Sequence, residues 1–368
     1  GPMIVRRALK SGLSAALRFT GTHRIAGRLA AGAPPAVLVV GYHRVLPDLR
    51  AGAGSIRSLV VTTAALEKQL DWIGARHRFV ALDEAGELAR GARSRGRPAA
   101  AVTFDDGYAD VHEHALPLLL RKGIPAGVFV VTGLAGTSFQ LPHDRLFGIM
   151  SRAGAAPPAA GLRGELPAAV ERAWRAGGPL AGARQALTTL PPRALDRACA
   201  ALEQALGALP LPPGAARPLT WDQVRALRAA GLTIGSHTEG HPFLTTVPDG
   251  DLAREVAGSR ARLEAELGTP VRHFAYPDGR WEPRTVDAVE AAGYGFAYGT
   301  CRHADERRPH LTIPRLLLWE DACLGAAGGF SGSLLACQAA GVFGPLARCG
   351  TAHGPAPAGQ PAARSAAA

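Results

Sequence analysis

Short, nearly uninterrupted apolar runs occur along the chain at positions 36–42, 79–82, 100–105, 126–132, 232–236, 271–276, 295–298 and 311–318. Runs of this length, rich in β-branched residues and bounded by turn formers, predict strands buried on both faces. Between them the apolar positions recur at helical spacing. Thr220 and Gln223 form a capping box that opens a helix with Val224 and Leu227 on one face, and Gly231 supplies a left-handed stop. A second helix is predicted over 251–267, with Leu252, Val256, Leu263 and Leu267 apolar and Gly268 ending it. Strands alternating with helices give an α/β chain, and parallel strands buried on both faces imply an enclosed sheet.

The pattern changes in four places. Residues 1–35 form a basic segment with Val5, Leu9, Leu13 and Leu17 at helical spacing opposite the charges. This predicts an amphipathic helix packed on the body of the protein; the same pattern also suits peripheral contact with an anionic membrane. Residues 134–219 hold Ala, Pro, Leu and Arg at helical spacing with no strand, and are too long for a plain loop, so a helical insertion is expected. It divides a barrel-forming part at 36–133 from a second at 220–322. A helical segment is expected at 323–349 and a disordered tail at 350–368. The uncharged stretch 322–347 is long enough to span a bilayer, but its glycines and polar residues argue against a span.

The 368 residues carry a formal charge of +11, with 47% hydrophobic residues, enough to build a core. The arginines are dispersed, and neither aromatic–basic interleaving nor zinc-finger spacing occurs, so nucleic acid is not the expected partner. The five cysteines never form a CxxC pair, which favours reduced thiols over a disulfide framework. Gly1-Pro2 before Met3 reads as a cleavage scar, and no export signal follows. The expected location is cytoplasmic, with the inner membrane surface as the place where a basic opening helix would attach. Oligomeric state has no signature in the sequence.

Candidate chemistry gathers where strands end. Thr103-Phe104-Asp105-Asp106-Gly107 closes one strand with adjacent carboxylates, and like charges so close call for a cation beside one of them. Ser236-His237-Thr238-Glu239-Gly240-His241 follows another strand, with imidazoles at i and i+4 able to converge on one ion. His43 and Tyr276-Pro277-Asp278-Gly279 end two more. In α/β barrels catalytic groups collect at these C-terminal strand ends. Asp106, His237 and His241 could hold one divalent ion, Zn²⁺ being favoured and Co²⁺, Ni²⁺ or Fe²⁺ also compatible with the donors. Such an ion acidifies water and polarises a carbonyl, the equipment of a hydrolase.

The ordered combination of TFDDG, HxxxH in an IGSHTEGHP setting and FAYPDG resembles the polysaccharide deacetylases with the NodB homology domain, carbohydrate esterase family 4, over about residues 36–319 apart from the insertion. The Gly41-Tyr42-His43-Arg44-Val45 opening is similar to the branch acting on exopolysaccharides such as poly-N-acetylglucosamine. The resemblance implies a distorted (β/α)7-type barrel and removal of acetyl from an N-acetylated glycan or glycoconjugate. Asp105 would be the general base, Asp106, His237 and His241 the metal ligands, and the backbone N–H of Asp278 a donor to the oxyanion. Two departures stand out: Ala275 occupies the position where many members carry an Arg, and the late Leu-x-His motif is absent. Arg315 is expected to pair with Asp105 in place of that Arg, and His43 to act as the acid.

Tyr276 in the third motif, and Trp281 and Trp319 near strand ends, are candidate sugar-binding surfaces. His112 and His114 are expected on a solvent-facing helix, and His143-Asp144-Arg145 as a local ion pair within the insertion, with reach over the barrel mouth as the alternative. Two other readings keep the same residues: a hydrolase of a small N-acylated or cyclic amide, and a catalytically silent carbohydrate binder. A pure binder has no use for juxtaposed Asp105 and Asp106, which favours an enzyme.

Overall fold

The computed structural model describes residues 2–31, 35–52, 54–94, 96–157, 166–207, 216–301 and 303–343. Among the described residues there are ten strands: β1 (Val37–Tyr42), β2 (Arg44–Leu46), β3 (Val60–Thr62), β4 (Arg78–Phe79), β5 (Ala99–Phe104), β6 (Ala126–Val130), β7 (Thr233–Ser236), β8 (His273–Ala275), β9 (Phe296–Gly299) and β10 (Ile313–Leu317). β1, β10, β9, β8, β7, β6 and β5 pair in parallel in that order, and β5 returns to β1, closing a barrel of seven strands surrounded by helices. All eight apolar runs contribute to strands of this sheet, the run at 79–82 through Phe79 alone, since Leu82 already opens a helix. β5 gives one edge to β1, and its other edge first to β4 at Ala99 and Ala100, then to β6 from Val102 onward. β2 and β3 form a separate parallel pair that the hydrophobic pattern did not reveal.

Strand alternation splits the core in two. Val37, Val39, Ala99, Ala101, Phe129, Ala275, Phe296, Tyr298 and Ile313 face inward and pack together. Helix Leu82–Arg90 closes the N-terminal end of the barrel, with Leu82, Ala85 and Leu88 in the same cluster. The intervening residues, among them Val40, Tyr42, Val102, Phe104, Val128, Ile234, Phe274 and Tyr276, point outward beneath the surrounding helices. Continuing the inward parity toward the C-terminal ends brings up Gly41, Thr103, Asp105, His237 and Arg315. The fold therefore presents these side chains at its open mouth.

Helices Pro142–Ala153, Ala168–Thr189 and Pro192–Leu206 occupy the segment between β6 and β7. They bury their own cluster around Met150, Trp174, Ala186 and Leu202, and Phe243, two residues after His241, joins it. Residues 158–165 and 208–215 of this segment lie outside the described residues. The opening segment is a pair of helices, Pro2–Phe19 and His23–Ala31, packed on helix Gly332–Ala340. Among the described residues, no helix is long and apolar enough to cross a membrane. The expected tail 350–368 lies outside the described residues, and the four described cysteines are free thiols.

Candidate active site

Among the described residues, four other than glycine hold left-handed backbone: Asp106 (φ 73°), Thr238 (φ 70°), His241 (φ 61°) and Asp278 (φ 54°). All follow the C-terminal ends of β5, β7 and β8, and conformations of this kind cost about 1–3 kcal/mol each. At Asp106 the reason is legible. Alternation would send Asp105 and Asp106 to opposite faces of β5, and the left-handed turn brings the second carboxylate back to the mouth.

Specific hydrogen bonds hold the histidine loop in its shape. The buried Glu255 carboxylate accepts from the backbone N–H of Glu239 (3.1 Å) and Gly240 (2.9 Å). The N–H of His241 donates to Thr238 Oγ1 at 2.9 Å. Thr132 and Gly133, after β6, donate to the carbonyls of Thr238 and Glu239.

Three imidazoles surround the buried Asp106. His241 Nε2 and His237 Nε2 lie 3.1 and 3.3 Å from Oδ1, and His143 Nε2 lies 3.6 Å from Oδ2. The His241 ring meets those of His237 and His143 edge-on at 4.8 and 5.0 Å. His237 Nδ1–H donates to the Ala275 carbonyl at 2.7 Å, which fixes the tautomer and leaves Nε2 as a lone-pair donor. Neither oxygen of Asp106 accepts a well-aligned hydrogen bond, and His241 Nδ1 is likewise buried without one. A buried carboxylate so placed is costly unless a cation sits beside it. The donors therefore fit a divalent ion, with Asp106, His237 and His241 as holders. Asp106, His143 and His241 also form a group whose ligand atoms lie mutually within 4.8 Å, so His143 is a further donor.

Asp105 sits beside this centre in a different state. Its Oδ1 and Oδ2 accept from Arg315 Nη1 and Nη2, both at 2.7 Å, in a bidentate pair buried from solvent. Arg315 Nη1 also donates to Thr103 Oγ1 (3.1 Å), and its guanidinium lies 5.4 Å from the Phe129 ring centre. Gly41 leaves space here, since a Cβ on it would meet Leu317 at 2.6 Å and stand 3.8 Å from Arg315 Nη1. Burial pushes the Asp105 pKa up, but the charges of Arg315, His237 and His43 outweigh it and hold the carboxyl below its ordinary range. His43, half-buried after β1, has its pKa lowered by burial. Asp106 and Asp105 oppose that shift, and the charges of His143 and Arg315 add to it.

Several expectations need correction. Tyr276 is fully buried, facing outward from the barrel, and its hydroxyl donates to the Leu311 carbonyl at 3.0 Å. Trp281 is also fully buried in the main core. Neither offers a face to a sugar; Trp319, half-buried, still can. His143 and Asp144 are not a local pair with Arg145, whose guanidinium turns away to Glu203 at 2.8–2.9 Å. Instead Tyr108 Oη donates to Asp144 Oδ2 and lies 2.8 Å from His143 Nε2. Tyr108 was missed because nothing in the pattern distinguishes it from a core residue. His112 and His114 are half-buried on the helix after β5, not on a fully solvent-facing side. Asp278 is exposed on the Pro277–Gly279 turn, where Arg280 Nε donates to its carboxylate at 2.6 Å.

Comparison with known proteins bears on the fold and on the family. The chain superposes on the Streptococcus pyogenes deacetylase PplD in complex with acetate, with a TM-score of 0.51 and 16% identity over 80% of this chain and 97% of that one. IcaB from Ammonifex degensii gives a TM-score of 0.51 and 22% identity over 83% of this chain and 97% of that one. BC0361, a polysaccharide deacetylase from Bacillus cereus, gives 0.51 and 15% over 82% and 68%. At these identities the likeness is one of fold. No curated protein sequence matches the chain. The family model for polysaccharide deacetylase matches residues 92–297, which include both aspartates, both histidines of the HxxxH loop and the insertion between them. The chain belongs to the polysaccharide deacetylase family.

Proposed function

We propose that this chain is a metal-dependent deacetylase that hydrolyses the N-acetyl amide of an amino sugar within a glycan or glycoconjugate, the exopolysaccharide type being favoured by the Tyr42-His43 opening. The observation that carries the reading is the contrast between two adjacent buried carboxylates. Asp106 has three imidazoles and no hydrogen-bond donor, whereas Asp105 is locked by Arg315. One carboxylate is set for a cation and the other for a proton.

A divalent ion held by Asp106, His237 and His241, of which Zn²⁺ suits the donors best, would polarise the amide carbonyl and lower the pKa of water. Asp105 takes the proton from the attacking water. Arg315 keeps that carboxylate ionised and oriented, so it is a positioning residue. The new C–O bond forms as negative charge builds on the carbonyl oxygen, towards which the Asp278 N–H donates. The C–N bond then breaks, the proton that Asp105 took from the water is handed on through His43 to the departing nitrogen, and acetate and the free amino sugar leave. Trp319 at the rim provides an aromatic face for a pyranose ring.

The test is acetate release from N-acetylglucosamine oligomers by the zinc-loaded protein, beside Asp105→Asn. The variant should keep its zinc and lose turnover. A zinc-loaded wild type that releases no acetate, or an Asp105→Asn protein as active as wild type, would overturn the proposal.

A further inference from the structure

The two opening helices pack on the protein the wrong way round for a purely structural role. Helix Pro2–Phe19 turns Ser14 into the contact with helix Gly332–Ala340, where the Cys337 thiol approaches the Ser14 carbonyl at 3.9 Å. Its Leu9 and Leu13, one turn apart, are left 68% and 51% exposed. Helix His23–Ala31 repeats the pattern. Gly27 is the buried residue, so close that a Cβ on it would meet the Ala340 carbonyl, while Ile25 and Leu29 are 61% and 86% exposed. Phe19, at the turn between the helices, is 94% exposed. Small residues thus make the internal contact, and Leu9, Leu13, Phe19, Ile25 and Leu29 point away from the protein.

The charges around this stripe have one sign. No Asp or Glu precedes Asp48 in the sequence. Lys10, Arg18, Arg24 and Arg28 form no ion pair with an acidic side chain among the described residues, nor do Arg76 and Arg97 nearby. Their proximity is felt electrostatically: Arg18 adds to burial in lowering the Arg76 pKa, and Arg97, Arg76 and Arg24 do the same to His77. Apolar side chains standing out of a cationic surface fit an anionic lipid interface, where the stripe enters the acyl boundary and the arginines remain at the headgroups.

We infer that the helical pair at residues 2–31, with Arg76 and Arg97 beside it, is a docking surface for anionic membranes. The helices are too short and too charged to span, so the chain lies on the surface. This stands apart from the deacetylase reading, because none of these residues belongs to the barrel mouth.

The full-length protein should co-sediment with vesicles of phosphatidylcholine and phosphatidylglycerol, and far less with phosphatidylcholine alone. Added salt should release it. Arg18→Gln with Arg28→Gln should weaken partitioning about 25-fold, at about fivefold per charge. Leu13→Glu with Phe19→Glu should abolish it while leaving the thermal unfolding midpoint unchanged, since both side chains are exposed. Failure of the wild type to bind the anionic vesicles, or unaltered binding by both variants, would overturn the inference. So would a dimer in light scattering that the Leu13→Glu, Phe19→Glu protein no longer forms, because a second copy would then cover the stripe.

Discussion

Replacing Arg315 with Met tests the physical core of the site, since Met fills most of the same volume and removes only the charge and the fork of donors. The guanidinium and the Asp105 carboxylate are 0% and 4% exposed and joined at 2.7 Å through both oxygens. Breaking such a pair strands a buried charge, which costs about 3–5 kcal/mol. In the zinc-free protein, equilibrium urea unfolding should therefore show Arg315→Met less stable by that amount. Asp105→Asn alone strands the guanidinium instead and should also destabilise. The double variant buries no charge and should return to within about 1–2 kcal/mol of wild type, a coupling far above the roughly 0.5 kcal/mol at which independent sites add. A loss below about 1 kcal/mol for Arg315→Met, or a double variant equal to the sum of the singles, would refute the claim that Arg315 holds Asp105 ionised.

Three further outcomes follow from individual contacts. His143→Ala should weaken zinc affinity about 10–100-fold in competition with a chelating dye, whereas Arg145→Ala should not, because Arg145 faces Glu203. Tyr276→Phe removes the donor to the Leu311 carbonyl; it should cost about 1–2 kcal/mol of stability without changing KM, and a raised KM would restore Tyr276 to the binding surface. Asp83 has its pKa lowered by its hydrogen bond to His273 and the charges of His273 and Arg272. A depressed carboxyl stabilises above its unfolded pKa of about 4 and loses that contribution as pH falls through the folded value. Because Asp83 is 57% exposed, Asp83→Asn should cost less than about 1 kcal/mol at neutral pH and nothing in acid, as followed by urea midpoints across pH.

The barrel was legible because its strands are buried on both faces and therefore read as plain apolar runs. β2 and β3 were not, since three residues carry no periodicity. Their placement depends instead on distant partners, such as the buried Arg44–Asp110 pair at 2.8 Å. That Asp106, His237 and His241 come together was legible from spacing and strand ends. The parity of β8 held one unused signal: with Ala275 inside the barrel, Phe274 and Tyr276 must face out, which is why Tyr276 is a core residue. His143 left no such trace, because its approach to Asp106 is decided by how the insertion packs and not by the residues around it in sequence.

That packing gives the insertion a function that its composition conceals. It touches the histidine loop from two sides. Phe243 leaves the loop to join the insertion's own core, and His143 comes back from the insertion to Asp106 and the His241 ring. Between these two points lies His241, one of the residues in left-handed backbone. A strained residue needs neighbours that over-determine its position. Glu255 supplies part of that restraint from the helical segment Arg254–Gly258 outside the barrel, and the insertion supplies the rest. The three helices therefore brace the loop that carries His241. Loosening their core, for instance at Trp174, would be felt first in metal affinity, while the barrel, with its separate core, stays folded.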